Sequence, residues 1–415
     1  MFRKKAGGLL LSFALLLIII SAIFSPVAPA ASARTTFANA QLIFSLKQSG
    51  DLSEVVTTFS FKSYKALRLS GVYLATLLDN SDVETVVAQM NRDKRVKFAE
   101  PNYAIQYVEN ANNFAFDGGE WKIDPKSLIK GTLLSTFSAK NTAKNQWAWQ
   151  KTNLAGGWKF TQGKGVTVAV LDSGVNYNLP DFDNKVRRGW SALDGGDGMD
   201  DNGHGTFVAG IIHQVAPDAH ILPVKVLDKN GTGTVDSIAE GAYWAYDRGA
   251  KVINLSFSAA EYSETLKQLI TDLTSKDVVV VASSGNNNSQ ENIYPASYKP
   301  VIAVGATNSQ DTKTDFSNFG SYIDLSAPGE DIYSTYWKGG YAWSEGTSFS
   351  APMVAGAAVL YRAYYPLYNA HEVVTDLKDG VDKFSSNCFV QDKPCSAVLG
   401  QGRLNFARVL KAGRN

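Results

Sequence analysis

Beyond residue 145, short runs of apolar and β-branched residues at 166–171, 221–226, 252–255, 278–281 and 301–304 alternate with stretches of helical spacing at 205–212, 235–246 and 265–273. A strand that is apolar at nearly every position has no solvent face, so both of its faces must be covered. With helix-length segments between the runs, the arrangement that satisfies them is a doubly wound α/β fold: a parallel sheet with helices on both faces. Ligands on such a sheet bind beyond the carboxyl ends of its strands.

That domain does not use the whole chain. The sequence has 415 residues, whereas single cores stop growing near about 250 to 300. Residues 34–108 read as a separate small α+β unit. Gln41–Leu46 and Gly71–Leu77 have strand character, and Ser81 with Glu84 forms a capping box that opens a helix. Val83, Val86, Val87 and Met90 lie on one face of that helix. A last strand runs from Val96 to Val108, with Pro101 indicating an edge position or a bulge. No residue of this unit shows evident chemistry. From 109 to 145 the texture turns to Asn, Gly, Ser and Lys, which describes an exposed connector open to proteolysis.

At the N-terminus Arg3, Lys4 and Lys5 precede an apolar run from Leu9 to Phe24, followed by small residues ending at Ala33. This is the plan of a cleaved export signal over 1–33. A membrane anchor is the competing reading, but the run is shorter than the roughly 20 residues a spanning helix requires and contains Ser12 and Ser21. Release from the cell is the expected outcome. The formal net charge is +1, with Lys and Arg dispersed among acids, so no basic field for nucleic acid exists. Cys388 and Cys395 are the two cysteines. In an oxidising compartment a local disulfide between them is expected, two free thiols being the alternative. Neither sits beside a His, which argues against a metal site.

Three short motifs place reactive side chains where this architecture brings strands and helices to their ends. Val168-Ala169-Val170-Leu171-Asp172-Ser173-Gly174 sets a carboxylate at a strand tip. Asp201-Asn202-Gly203-His204-Gly205-Thr206 sets an imidazole at a helix start, and Gly346-Thr347-Ser348-Phe349-Ser350-Ala351-Pro352 sets a hydroxyl where a loop enters a long apolar helix. A serine hydroxyl attacks poorly until an imidazole takes its proton, and the imidazole needs a carboxylate to fix its tautomer and stabilise its cation. All three types are present, in the order Asp, His, Ser. An esterase of the α/β-hydrolase type would need Gly-x-Ser-x-Gly and the order Ser, Asp, His, and neither occurs.

On these motifs, residues 146–411 resemble the catalytic domain of the subtilase family of serine peptidases. The resemblance implies a subtilisin-like fold, an acyl-enzyme mechanism on polypeptides, and no cofactor for catalysis. It identifies Asp172, His204 and Ser348 as the triad. Val280-Val281-Ala282-Ser283-Ser284-Gly285-Asn286 is similar to the family's strand carrying the oxyanion-hole asparagine, which makes Asn286 a donor to the oxyanion, with Gly285 beside it in the cleft. Gly231-Thr232-Gly233 looks like the edge that pairs with an extended substrate, and Ser256-Phe257-Ser258-Ala259 like one wall of the primary specificity pocket. Ser258 and Ala259 replace glycines common in that wall, and Ser350 stands where the family more often has Ala.

The upstream unit, ending in Phe98-Ala99-Glu100-Pro101-Asn102-Tyr103, resembles the propeptide that subtilases use as chaperone and temporary inhibitor, with a ferredoxin-like α+β fold. Its own propeptide and polypeptide substrates are thus the implied partners of a protein that is monomeric after maturation, and autocleavage falls near Tyr107 to Asn113. A silent family member acting as a binding scaffold is the other reading, which the intact triad disfavours. Asp181 looks like a family calcium ligand, but the passage from Ile212 to Val215 lacks the insertion that supplies further ligands in many subtilisins. Asp194, Asp197, Asp200 and Asp201 form an acidic, Gly-punctuated loop that reads as a solvated turn, with calcium as the alternative.

Overall fold

In the computed structural model the described residues are 37–79, 81–106, 122–123 and 146–413. The export signal over 1–33 and the expected cut near Tyr107 to Asn113 lie outside them.

The N-terminal region runs β1 (Phe37–Leu46), α1 (Leu52–Phe59), β2 (Ser63–Ala66), β3 (Val72–Thr76), α2 (Val83–Met90) and β4 (Val96–Gln106). The strands are antiparallel in the order β2-β3-β1-β4, which is the ferredoxin-like arrangement. Alternation along β1 assigns its faces, because successive side chains point to opposite sides of a sheet. Leu42 and Phe44 pack with Val55, Ala75 and Met90 into the region's own core. The helix cap differs from the sequence expectation by one residue: Asp82, not Ser81, caps α2, accepting from the Thr85 N–H. The Asp carboxylate is the stronger acceptor for that N–H and displaces the Ser–Glu box. Pro101 lies opposite Leu42, beside a register break in the β1–β4 ladder, and the strand is not a free edge.

The large region carries β5 (Thr167–Asp172), α3 (His204–Val215), β6 (His220–Lys225), β7 (Thr232–Thr234), α4 (Val235–Asp247), β8 (Val252–Leu255), α5 (Glu264–Ser275), β9 (Val279–Ser283), β10 (Ile302–Thr307), β11 (Leu325–Pro328), β12 (Ile332–Thr335), β13 (Tyr341–Ser344) and α6 (Thr347–Tyr364). Its nine-stranded sheet has β11-β10-β9-β8-β5-β6 at its centre, and these strands pair in parallel. Val168 and Val170 face one apolar cluster with α3 and α6. Ala169 and Leu171 face a second with α4 and α5. This double burial is what the continuous apolar runs required. The chain leaves β5 for β6 on one side and later returns to β8 on the other, so the strand order reverses around β5. The crevice at such a reversal is where α/β sheets bind ligands.

The two regions share a core. Ile43, Leu67, Leu69, Val72, Leu74 and Ile105 belong to the same apolar cluster as α4 and α5. Each such side chain removed from water stabilises the docked arrangement by about 1.5 to 3 kcal/mol at most. Polar contacts fix the orientation. Glu100, 7% exposed, accepts from the Ser263 hydroxyl at 2.7 Å and from the backbone N–H groups of Glu264 and Thr265 at 2.8 and 3.1 Å, so it caps α5 from outside the large region. Burial pushes its carboxyl up, and these donors oppose the shift. Asn102 donates to Asp236 Oδ1 at 2.8 Å at the start of α4. Arg68 bridges Glu240 and Asp247 on the same helix. Within the connector, Lys122–Ile123 form a short strand paired antiparallel with β13.

Candidate active site

Asp172 ends β5 and is fully buried; its Oδ1 accepts from the Ser173 N–H at 2.7 Å. His204 opens α3 with its ring Nδ1 2.9 and 3.0 Å from the two Asp172 oxygens. A carboxylate is an acceptor, so this contact places the ring proton on Nδ1 and leaves Nε2 as the basic nitrogen. The two chain segments meet backbone to backbone. A Cβ added at Gly205 would lie 2.0 Å from the Gly174 carbonyl oxygen and 3.1 Å from the Asp172 Cβ, so only glycine permits the approach.

Behind this pair stands a residue that sequence reasoning placed in a solvated turn. Asp200 is 4% exposed. Its Oδ1 accepts from the Ser173 hydroxyl at 2.9 Å and the N–H groups of Asn202 and Gly203 at 3.0 and 2.9 Å. Its Oδ2 accepts from the Thr206 N–H at 3.0 Å and from the Thr206 hydroxyl. The Ser173 hydroxyl in turn accepts from the Gly205 N–H at 3.0 Å. One carboxylate thus ties the residue after Asp172 to the turn that carries His204. Burial pushes its carboxyl up and the five donors oppose this. The other acids of the loop go to separate partners: Asp194 to the Gly196 N–H, Asp197 to the Tyr177 hydroxyl, Asp201 to Lys225. Asp181 accepts from the Tyr341 hydroxyl. These carboxylates do not converge, and among the described residues no group of three or more His, Cys, Asp or Glu is placed to hold a metal ion.

Ser348 lies in the first turn of α6, 3% exposed, where the helix dipole favours negative charge. Its hydroxyl donates to the Ser256 carbonyl at 3.2 Å, and the Ser256 hydroxyl donates back to the Ser348 carbonyl at 2.8 Å. Phe349 packs against His204, ring centroids 5.6 Å apart. Asn286 follows β9 and accepts at Oδ1 from the Thr347 N–H and hydroxyl at 2.9 and 2.7 Å, which turns its amide nitrogen away from Thr347. The Gly285 N–H donates to the Thr347 hydroxyl at 3.2 Å. The buried Ser350 hydroxyl is shared between the Ala327 and Pro328 carbonyls at 3.1 and 3.0 Å.

The expected cleft walls face one another, and β4 occupies the space between them. Ala104, Ile105 and Gln106 pair antiparallel with Thr234, Gly233 and Thr232, while Gln106 exchanges both backbone hydrogen bonds with Ser258 on the other side. Gly231 closes the turn into β7, its N–H donating to the Asp228 carbonyl, and Phe257 is buried against α4 and α5. Cys388 and Cys395 form a disulfide with Cα atoms 5.4 Å apart, in a small satellite cluster with Phe319, Val398 and Leu399. Sequence reasoning missed Glu100, Asn102 and the buried role of Asp200. The available signal for the first two was a polar pair flanking Pro101 in an otherwise apolar strand end.

The subtilase family profile matches residues 163–387, more than half of the chain, and a fervidolysin N-terminal prodomain profile matches residues 25–102. The chain belongs to the subtilase family. Curated relatives of this subtilase include a thermophilic serine proteinase of Bacillus sp. strain AK1, 38% identical over 68% of this chain and 67% of that one. Thermitase of Thermoactinomyces vulgaris is 41% identical over 52% of this chain and 81% of its own. Among solved structures, fervidolysin from Fervidobacterium pennivorans, described as a keratinolytic enzyme related to subtilisin, superposes with a TM-score of 0.71. At 23% identity, covering 90% of this subtilase and 61% of fervidolysin, that match shows the shared fold. The protein is a subtilisin-like serine protease.

Proposed function

We propose that this protease is exported as a precursor, hydrolyses polypeptides through the triad Asp172, His204 and Ser348, and releases its own prodomain before acting as a monomer. The observation that carries the reading is the buried contact of the His204 Nδ1 with both Asp172 oxygens at 2.9 and 3.0 Å, beside the helix start that bears Ser348. His204 takes the Ser348 proton as the hydroxyl oxygen bonds to the substrate carbonyl carbon. The imidazolium then returns the proton to the leaving amine as the C–N bond breaks. Water, activated by the same imidazole, hydrolyses the acyl-enzyme. The Asn286 amide and the Ser348 N–H stabilise the oxyanion. Substrate enters as an extended strand between Thr232–Thr234 and Ser258, the track that β4 fills in the precursor.

β4 ends at Gln106 with its last three residues held between the two walls of the cleft, which supports autocleavage a short way downstream, near Tyr107 to Asn113. The apolar stretch from Leu9 to Phe24 supports export. Among the described residues no helix is long and apolar enough to cross a membrane.

A fluorophosphonate probe tests the chemistry. Matured protein labels at Ser348 and the Ser348→Ala variant does not; equal labelling of the two sinks the triad. N-terminal sequencing of the matured protein tests the cut, with the new N-terminus expected near Tyr107 to Asn113. Cleavage of a peptide library then separates a degradative enzyme, with many cuts, from a dedicated processing enzyme with one.

A further inference from the structure

Helix α6 contains a proline, Pro352, inside its second turn. In an α-helix the N–H of each residue bonds the carbonyl four residues earlier, and proline has no N–H. The carbonyl that Pro352 leaves without its helical partner is that of Ser348. A buried carbonyl without a donor costs about 1 to 3 kcal/mol. Here a donor arrives from outside the helix, since the Ser256 hydroxyl lies 2.8 Å from that oxygen. Ser256 is fully buried, and its own hydroxyl is held by the Asn254 Nδ2 at 2.8 Å. Asn254 belongs to β8, in the middle of the sheet.

We propose that the Ser256 hydroxyl is a positioning residue for the nucleophile, substituting for the helix hydrogen bond that Pro352 deletes and fastening the backbone of Ser348 to the central sheet through Asn254. The proposal rests on Ser348 being the nucleophile. Its physical content is that the first turn of α6 is fixed by a rigid strand rather than by the helix itself. An ordinary fourth-residue bond would hold the Ser348 carbonyl along the helix axis, where any shift of α6 would move the nucleophile with it. The cross-link instead refers Ser348 to the strand next to β5, whose tip carries Asp172. Acid and nucleophile are thereby referenced to adjacent strands of one sheet. The Ser256 backbone carbonyl forms the cleft wall, so the same residue sets the hydroxyl of Ser348 on one side and its main chain on the other.

The test is a double-mutant cycle on the matured protein. Ser256→Ala removes the external donor, and Pro352→Ala restores the internal one in a residue that favours helix. Turnover of a peptide substrate and the rate of fluorophosphonate labelling are both read, the second requiring no peptide in the cleft. Ser256→Ala alone is expected to lower kcat and the labelling rate about five- to tenfold, the worth of one hydrogen bond, with KM changed less than kcat. In the Pro352→Ala background the same substitution should cost less than about twofold. Equal losses in both backgrounds, or wild-type labelling by Ser256→Ala, overturn the proposal. Wild-type protein that does not label at Ser348 overturns the triad reading and this one with it, so the two failures are distinguishable.

Discussion

The large region and the prodomain both bury alternate faces of their strands, but they close those faces differently. In the large sheet Val168 and Val170 face one cluster and Ala169 and Leu171 the other, and the helices α3, α4, α5 and α6 that cover both sides belong to the same region. In the prodomain Leu42 and Phe44 are covered by its own helices, whereas Ile43, Leu67, Leu69, Val72 and Leu74 are covered by α4 and α5. One region carries its whole closure; the other uses its partner as half of its core. Small units are marginal for the area they bury, so the order of the prodomain is tied to docking, while the large region depends on it through a single face.

The strongest way to break this comparison is to charge the shared face. In a full-length Ser348→Ala precursor, which the proposed triad makes unable to cut itself, Ile43→Asp buries an unpaired carboxylate at a cost of several kcal/mol. Residues 37–106 are then expected to be digested by added protease while the large region survives; equal resistance to the parent precursor would mean that the prodomain closes itself. Cys388→Ser probes the self-closed region. Opening a loop with a sequence separation of 7 removes about 2 to 3 kcal/mol in the chain-entropy model. Calorimetry should show a lower melting temperature for the large region with prodomain protection unchanged.

A finer test addresses the cap that crosses between regions. Glu100→Ala leaves the Glu264 and Thr265 N–H groups without their acceptor, at about 1 to 3 kcal/mol. Hydrogen exchange should quicken in the first turn of α5 and in β4 together, and unchanged exchange in either would separate the cap from docking. The smallest effect lies within the prodomain. Arg95 beside Asp93 holds that carboxyl down at about 2, from 3.8. A depressed folded value means that the pair stabilises above the unfolded value and loses this as pH falls through the folded one. The contribution is thus present above pH 3.8 and fades towards about 2. Asp93→Asn should leave acid unfolding of the precursor flatter over that window, by an amount limited by the pair's exposure to solvent.

What the sequence disclosed follows from the range over which each signal acts. The run at Val252–Leu255 is a strand with those bounds, and Val235–Asp247 is a helix within one residue of its reading, because burial on every face or one stripe writes itself into neighbouring residues. Asp172, His204, Ser348 and Asn286 each sit in a short motif that can be read locally, and the fold sets Asp172 against His204 and Asn286 against Thr347, the residue before Ser348. The hairpin β12–β13 was not legible, since its Tyr, Trp, Ser and Gly residues carry no clean alternation. The polar pair flanking Pro101 marked Glu100 but not what it caps, because its backbone partners lie 164 and 165 residues away along the chain. Asp200 resembled its solvated neighbours because most of its donors are backbone N–H groups, which no side-chain pattern reveals.

The bare contact of Gly205 with the Gly174 carbonyl bears on how such an enzyme can change over time. The spacing of acid and imidazole is written in main chain, with no side chain between them to trim or extend. Under the proposed triad, variation that preserves activity is directed away from that spacing and toward 231–234 and 256–259, the segments that hold β4 on either side, where new preferences for substrate can be acquired.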